Sequence, residues 1–202
     1  MLWLGTNFLG LQPPEENLVD GGMAKAKSKA RSNNPFRQKL RQLKGRSESG
    51  DWLRAVHLDH HQELESILAL MERGGRFNPP GRFPVLHAAE DDQRCREGML
   101  EWIREEQTPD RIRAVVVLKV KLTRVLDLAQ RSTRRALGIT IQQLNGRDDS
   151  PTGQQIGDAA YEAGFEGIIY PRPLKPRRRN LALFMDRVVA RKNQVFSRGD
   201  AA

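Results

Sequence analysis

The spacing of apolar residues becomes regular only after about residue 51, where a globular pattern begins. Apolar side chains at positions 64, 67, 68 and 71 recur three and four residues apart, which predicts a helix that ends at Gly74-Gly75. A second helix is predicted over 92–106. A third is predicted over 152–163, opened by Ser150-Pro151-Thr152 and closed by Gly164.

Runs of aliphatic and β-branched residues between these helices predict strands. The predicted strands are Phe83 to Ala89, Ala114 to Val120, Leu122 to Leu128, Gly167 to Pro171 and Leu181 to Phe184. The second and third runs adjoin, and we expect a break or a bulge between them. Because strands and helices mix without a regular βαβ rhythm, the pattern predicts an α+β domain.

The first 50 residues differ in composition from the rest of the chain. Lysine, alanine, serine and arginine dominate residues 23–49, which have too few large apolar side chains to offset the entropy lost on ordering. We therefore predict a disordered N-terminal segment over 1–50 that is basic from residue 23, a folded domain over 51–190 and a C-terminal tail over 191–202. Met23, which follows two glycines, is a second candidate for the start of translation.

The net charge of +9 and the pI of about 10.2 first suggest a nucleic-acid-binding protein. The charge is uneven, because residues 1–22 carry −3, residues 23–49 carry +8 and residues 50–202 carry +4. Five basic residues between Arg172 and Arg179 leave the rest of that last part about neutral. Residues 23–49 are either a nucleic-acid-binding arm or a solvated tail, and the tail is favoured because the chain has no recognisable nucleic-acid motif.

Cysteine content and hydropathy restrict the class of protein. The single cysteine, Cys95, excludes an intrachain disulfide framework and a cysteine-rich zinc site. The apolar stretch at the N-terminus spans about ten residues and lacks a preceding basic region, which argues against a signal peptide and a membrane span. We therefore expect a soluble, cytoplasmic protein.

Few residues form a recognisable catalytic pattern by themselves. The chain has no Walker loop and no GxGxxG, HExxH or GxSxG motif. His57 and His61 have the i, i+4 spacing of helical metal ligands, but no carboxylate-histidine pattern completes the site, so we expect no metal. In the turn before the first predicted strand, Arg76 and Asn78 either present a guanidinium fork to phosphate or carboxylate or belong to an ordinary surface turn.

The residues alone do not decide the role of one glutamate and of one basic segment. Glu97 lies on the opposite side of the predicted 92–106 helix from Cys95 and Met99, where it faces either solvent or a cleft. The segment from Pro171 to Arg179 holds three prolines and five basic residues, so it is either a stiff phosphate-binding loop or a solvated connection.

Several motifs, in a fixed order, resemble the RES domain, a family named for an arginine, a glutamate and a serine. The resemblance covers about residues 51–187. It rests on Gly74 to Gly81, Pro84 to Glu90, Val125 to Leu128, Pro151 to Ala160, Gly164 to Pro171 and Asn180 to Phe184.

The resemblance implies a single domain with a fold related to the ADP-ribosyltransferases and a cleft that holds NAD. Many members of the family are toxins of toxin–antitoxin pairs that deplete cellular NAD, and some are linked to ADP-ribosyl transfer. The usual partner is a helix-turn-helix antitoxin. On this resemblance NAD is the substrate, and no metal and no membrane partner are expected.

Two arginines match positions of the family pattern. Arg76 corresponds to the family's arginine, and Arg54 resembles a second arginine near the start of the domain. In such a site, arginines hold the pyrophosphate of NAD by charge-assisted hydrogen bonds. Asn78, on the same turn as Arg76, is included among the predicted cofactor-binding residues.

Three positions depart from the family pattern. His87 stands where members commonly have tyrosine, and it is expected to contact the nicotinamide end. Glu97 lies one residue before the usual acidic position, which is Gly98 here, and is expected to stabilise the cation that forms as nicotinamide leaves. Arg172 stands where a serine normally follows the Tyr-Pro pair, and it is assigned to cofactor binding.

The resemblance therefore predicts a protein that binds NAD and cleaves its nicotinamide–ribose bond. One alternative is a catalytically degenerate RES fold that binds a ligand or a partner without turnover, because the serine, the tyrosine and the glutamate are all altered or displaced. A further alternative is a nucleic-acid-binding protein that acts through its basic tail.

Overall fold

The computed structural model describes residues 34–57, 59–90, 113–144, 150–171 and 178–189, and a five-stranded barrel organises them. The strands are β1 (Arg46–His57), β2 (Val85–Ala89), β3 (Arg113–Asp127), β4 (Gly167–Pro171) and β5 (Arg179–Phe184). Their order around the closed sheet is β1-β2-β5-β4-β3. The β3–β4 pair is parallel and the other pairs are antiparallel. Mixed strands and helices confirm the predicted α+β class.

Helices surround this sheet. They are α1 (Arg37–Gln42), α2 (His60–Arg73), α3 (Arg131–Leu137), α4 (Ile141–Leu144), α5 (Pro151–Glu162) and α6 (Met185–Val189). The predictions for α2 and α5 are confirmed, since each helix is followed by a glycine with positive φ, +78° at Gly74 and +83° at Gly164. The helix predicted over 92–106 lies outside the described residues. Within the described ranges, no helix is long and apolar enough to span a bilayer.

The predicted N-terminal boundary of the folded domain is wrong. Helix α1 and the first part of β1 lie within residues 1–50, which the sequence assigned to a disordered segment. Two apolar side chains hold α1 against the body, because Leu40 is fully buried and Phe36 is 8% exposed. Arg37 of α1 also donates to Glu162 of α5 at 2.6 Å. A sparse pattern of two large anchors is therefore enough to fold this segment, and the compact unit begins at Pro35.

The two central strand runs form one continuous strand, and the irregularity expected between Val120 and Leu122 lies a few residues later, as a bulge inside the second run. The register of β1 against β3 shifts at Ser47, opposite which β3 has two residues, Thr123 and Arg124. Both of their backbone N–H groups donate to Oε2 of Glu166, at 2.6 and 2.9 Å. The carboxylate of Glu166, a residue only 1% exposed, thus satisfies the backbone groups that the bulge removes from the ladder.

The two faces of the sheet pack into separate apolar clusters, because successive side chains of a strand point to opposite faces. One cluster joins strand residues such as Ile168 and Phe184 to Leu40, Leu137 and Ile156 of the helices. The other cluster lies on the opposite face and contains Trp52, Val120, Leu122, Ile169 and Leu181. The first cluster contains Tyr170 and also Ala182, the residue that pairs with His87.

Candidate active site

The predicted arginine lies on a tight turn between α2 and β2. Gly74 has φ +78°, and a Cβ at this position would lie 2.8 Å from Cδ of Pro80. The backbone N–H of Gly75 donates to the carbonyl of Asn78 at 2.9 Å and closes the turn. The side-chain amide of Asn78 donates to the carbonyl of Leu70 at 3.2 Å, which ties the turn to the last part of α2.

Two glycines of α5 allow the same turn to lie directly on that helix. A Cβ built on Gly157 would overlap the carbonyl group of Phe77, and a Cβ on Gly153 would overlap the carbonyl oxygen of Arg76. Side chains at these two positions would push the turn away from the helix axis. Their spacing, i and i+4 on one helix face, therefore determines where Arg76 is held.

The side chain of Arg76 extends toward a tyrosine and a histidine on two different strands. Its Nη1 donates to the carbonyl of Leu144 at 2.9 Å, and its Cζ lies 5.7 Å from the ring centroid of Tyr170. The hydroxyl of Tyr170 lies 3.2 Å from Nδ1 of His87. Phe77, from the arginine turn, packs edge-on against the ring of Tyr170 at 4.9 Å. Arg76, Tyr170 and His87 thus form one row, which we call the Arg–Tyr–His row.

Arg54 lies beside this row on β1. Its Nη1 donates to the carbonyl of His87 at 3.0 Å. Its Nε and Nη2 both donate to Oε1 of Glu63 on α2, at 3.2 and 2.7 Å, and the two side chains are 14% and 16% exposed. Arg54 therefore joins β1, β2 and α2 around His87. A phosphate that contacts Arg54 shares it with the Glu63 carboxylate.

The structure brings together three of the sequence-predicted site residues, Arg54, Arg76 and His87. Asn78 is fully buried and its side-chain amide donates to Leu70, so in this structure it supports the arginine turn from within the protein. Its assignment to cofactor binding stays a prediction. Glu97 and Arg172 lie outside the described residues.

Sequence reasoning did not select Tyr170 and Glu63 as site residues. Tyr170 was used only as part of a strand motif, and its contact with His87 joins residues 83 positions apart. The register that brings them together is set across β5, where Ala182 pairs with His87 and Asn180 pairs with Tyr170. The Tyr-Pro pair of the family pattern was the signal that could have identified Tyr170.

An ion pair joins the residue that follows β2 to the first residue of β5. Glu90 follows β2, and its Oε1 accepts hydrogen bonds from Nε and Nη2 of Arg179, the first residue of β5, at 3.0 and 2.6 Å. Its Oε2 accepts the backbone N–H of Arg179 at 3.1 Å. The hydrogen bond to Glu90 is the main cause that raises the pKa of Arg179. This pairing therefore fixes the distance between the end of β2 and the start of β5.

Replacing Tyr170 with phenylalanine should separate the hydroxyl contact from ring packing. The ring keeps its contact with Phe77, but the hydrogen bond to His87 is lost, so we expect a loss of unfolding free energy of about 1 kcal/mol. If the hydroxyl orients the imidazole for catalysis, NAD turnover should fall about tenfold with little change in KM. Steady-state kinetics and thermal unfolding measure the two effects. Unchanged kcat would contradict an orienting role for the hydroxyl.

Comparison with known proteins identifies the family. The sequence matches the RES domain over residues 52–199, and the chain belongs to the RES domain family. The expected family is thereby confirmed. Among the described residues, no group of three or more histidine, cysteine, aspartate or glutamate side chains is arranged to hold a metal ion.

Relatives with known names come from mycobacteria. The NAD(+) phosphorylase MbcT of Mycobacterium tuberculosis and that of Mycobacterium bovis are each 29% identical to this chain over 116 residues. That stretch covers 55% of this chain and 62% of the relatives' length. The crystal structure of the M. tuberculosis MbcT–MbcA toxin–antitoxin complex contains a chain with the same fold, with a TM-score of 0.61 at 22% identity. The match covers 83% of this chain and 91% of that one.

Proposed function

We propose that this protein cleaves the bond between nicotinamide and ribose in NAD and acts as the toxin of a toxin–antitoxin pair. The observation that carries the proposal is the Arg–Tyr–His row, which sets a guanidinium, a phenol and an imidazole side by side in a member of the RES domain family. The similarity to the NAD(+) phosphorylase MbcT supports NAD as the substrate. We also propose that the fold is related to that of the ADP-ribosyltransferases.

Arg76 is proposed to bind the pyrophosphate of NAD. Its backbone is fixed on two sides, by the turn that Asn78 closes and by the glycine face of α5. Because the backbone of Arg76 is fixed, its guanidinium loses less conformational freedom on binding. The guanidinium can also offer two parallel N–H donors to phosphate oxygens. Arg54 would add a second positive charge, moderated by its contact with Glu63.

His87 is proposed to contact the nicotinamide riboside end. The Tyr170 hydroxyl and the Arg54 contact to the His87 carbonyl together fix the side chain and the backbone of this residue. A fixed imidazole can pack against the substrate ring and hydrogen-bond to it at little entropic cost. A histidine in this place therefore serves the purpose of the tyrosine that members of the family commonly have.

The proposed chemistry breaks the C–N glycosidic bond, and its electron pair goes to the nicotinamide nitrogen and neutralises the pyridinium. The ribose carbon becomes cationic, and Glu97 is proposed to stabilise that charge, as carboxylates do in glycoside cleavage. Attack by phosphate gives ADP-ribose 1″-phosphate, whereas attack by water gives ADP-ribose and releases a proton. Arg172 is proposed to bind phosphate, either of NAD or of the attacking anion. No metal is needed in this scheme.

The partner and the location follow from the same proposal. NAD is a cytoplasmic metabolite, so the protein is proposed to act in the cytoplasm. An antitoxin of the helix-turn-helix class is proposed to bind it and restrain its activity. The toxin–antitoxin complex of the structural neighbour supports a protein partner.

The test is incubation of the purified full chain with NAD, with and without inorganic phosphate, and chromatography of the products. We expect nicotinamide release, and a requirement for phosphate if phosphate is the acceptor. Glu97→Gln should reduce the rate by at least about 100-fold, because it removes the charge opposite the developing cation. Glu101→Gln, four residues further along, is the matched control and should retain activity.

The outcomes separate the proposal from its alternative. Neither nicotinamide release nor NAD binding under any of these conditions would overturn the assignment. NAD binding without nicotinamide release would instead support a catalytically degenerate RES fold, for which Arg172 in the place of a serine is the specific reason.

A further inference from the structure

Two basic segments of the chain contain no acidic residue. Residues 23–47 hold nine lysines and arginines, and residues 128–147 hold four arginines, without a single aspartate or glutamate in either. Together they carry +13, so the remainder of the protein carries −4. The charge of this protein is therefore segregated, although its net value of +9 hides that fact.

The fold brings the described parts of these two segments together. Nζ of Lys39 on α1 donates to the carbonyl of Leu137 at the end of α3, at 2.9 Å. A cleft of about 60 Å³ opens nearby, and both segments line it, Lys44 and Arg46 from one and Gln130 and Thr133 from the other. Asp127 also lines this cleft, where it pairs with Arg46. Residues distant in the sequence, 98 positions apart for Lys39 and Leu137, thus form one surface.

The basic side chains of this surface face water. Lys39 and Lys44 of the first segment and Arg131 and Arg135 of the second are exposed, and we call these four residues the cationic face. In the part of the chain that the structure describes, none of the four forms an ion pair with a carboxylate. The nearby carboxylates of Glu162 and Asp127 pair instead with Arg37 and Arg46.

We propose that the cationic face binds the phosphate backbone of a nucleic-acid duplex. Closely spaced phosphates suit a surface whose exposed cations are not paired with its carboxylates, because each bound cation releases a condensed counterion from the nucleic acid. Glutamine, serine and threonine side chains on the same segments, such as Gln42, Gln130 and Ser132, are further donors for phosphate oxygens.

An acidic protein is a less suitable partner for this face. Stable protein–protein interfaces have an apolar or aromatic centre that excludes water from the charged rim. Among the described residues, the large hydrophobic side chain that is exposed is Leu68, which lies on α2 and outside both basic segments. A surface of cations and neutral donors can hold a phosphate backbone without such a centre, and the binding should be independent of base sequence.

The proposal predicts a steep salt dependence for binding of a 20-base-pair duplex, followed by fluorescence anisotropy with the full chain between 50 and 200 mM salt. Four phosphate contacts at about −0.9 each give a slope of log K against log salt of about −3.6. The variant Lys39→Gln/Lys44→Gln should make the slope about 1.8 shallower. The variant Arg131→Gln/Arg135→Gln, on the other segment, should make it about 1.8 shallower.

Two controls each remove three positive charges from elsewhere, one more than a face variant removes. Arg73→Gln/Lys119→Gln/Lys121→Gln neutralises three exposed residues on α2 and in the middle of β3 and should leave the slope unchanged. Lys25→Gln/Lys27→Gln/Lys29→Gln neutralises the preceding part of the basic run and should have less effect than the first face variant. Thermal unfolding of each variant identifies any loss that comes from misfolding, and DNA and RNA duplexes are compared as separate probes.

Four results would overturn the proposal. The first is no duplex binding by the full chain at 50 mM salt. The second is undiminished binding by both folded face variants, above all if the Lys25, Lys27 and Lys29 substitutions abolish binding. The third is an equal loss in the Arg73, Lys119 and Lys121 control. The fourth is equal or tighter binding to polyglutamate or to anionic lipid vesicles, which would identify an acidic protein or a membrane as the ligand.

Discussion

Replacing Arg76 with alanine is expected to lower kcat/KM for NAD cleavage by at least about 100-fold, a loss of about 2.7 kcal/mol of transition-state stabilisation. The reason is the position of its guanidinium beside the ring of Tyr170, within the Arg–Tyr–His row. A charge-assisted, two-pronged contact to a pyrophosphate is among the strongest polar interactions in a protein site, and alanine cannot replace it.

Arg76→Lys separates charge from geometry at the same position. Lysine keeps the positive charge but lacks the planar fork and cannot contact phosphate and the Leu144 carbonyl in the same way, so an intermediate loss of about tenfold is expected. Arg73→Ala is the matched control, because Arg73 is exposed at the end of α2 only three residues earlier. It should leave kcat/KM unchanged.

A folding defect must be distinguished from a binding defect in the Arg76 variants. Loss of the hydrogen bond to Leu144 should cost about 1 kcal/mol of unfolding free energy, which is too little to unfold a typical domain. Thermal unfolding therefore accompanies the kinetics. Full NAD cleavage by a folded Arg76→Ala protein would exclude Arg76 from the site.

Replacing Gly157 with alanine is expected to destabilise the protein by about 3 kcal/mol or more. In the interior of an exposed helix, alanine would instead stabilise by about 1 kcal/mol relative to glycine. The sign is reversed here because the new Cβ would overlap the carbonyl group of Phe77 on the arginine turn. For a chain of this size, that loss corresponds to a Tm lower by about 6–12 °C.

The same substitution should also abolish NAD cleavage in any protein that still folds, because the turn must move away from α5 and takes Arg76 with it. Gly153→Ala contacts the Arg76 carbonyl and should have a smaller effect in the same direction. Gln154→Ala, on the same helix, is the control and should change Tm by no more than 2 °C or so. A Tm for Gly157→Ala equal to that of the unsubstituted protein would show that the turn does not rest on this glycine.

Glycine and proline in the sequence predicted where two helices stop and where one starts. Helix α5 begins at Pro151 and is followed by Gly164, and α2 is followed by Gly74. Helix α1 was missed because it has a basic composition and a single fully buried residue, Leu40. Its stability comes from packing against distant parts of the chain, which composition does not report.

The candidate site was predicted only in part, because some of its contacts also depend on packing between distant parts of the chain. Family motifs pointed to Arg76, His87 and Arg54, which the structure brings together, and to Asn78, which the structure buries beside Leu70. Tyr170 and Glu63 join the site through strand register and helix packing. These contacts depend on the three-dimensional path of the chain, and no spacing along the sequence encodes them directly.

The sequence by itself determined the family, the class of fold and the ends of the main helices, and it singled out Arg76 as a candidate, because those features reside in local residue patterns and in their order. The tertiary structure alone decided that Tyr170 orients toward His87, that α5 supports the arginine turn and that charges on α1 and α3 form one face. Each of these joins residues 77 or more positions apart. Only the closed sheet and the helices packed on it bring such residues within hydrogen-bond or van der Waals distance.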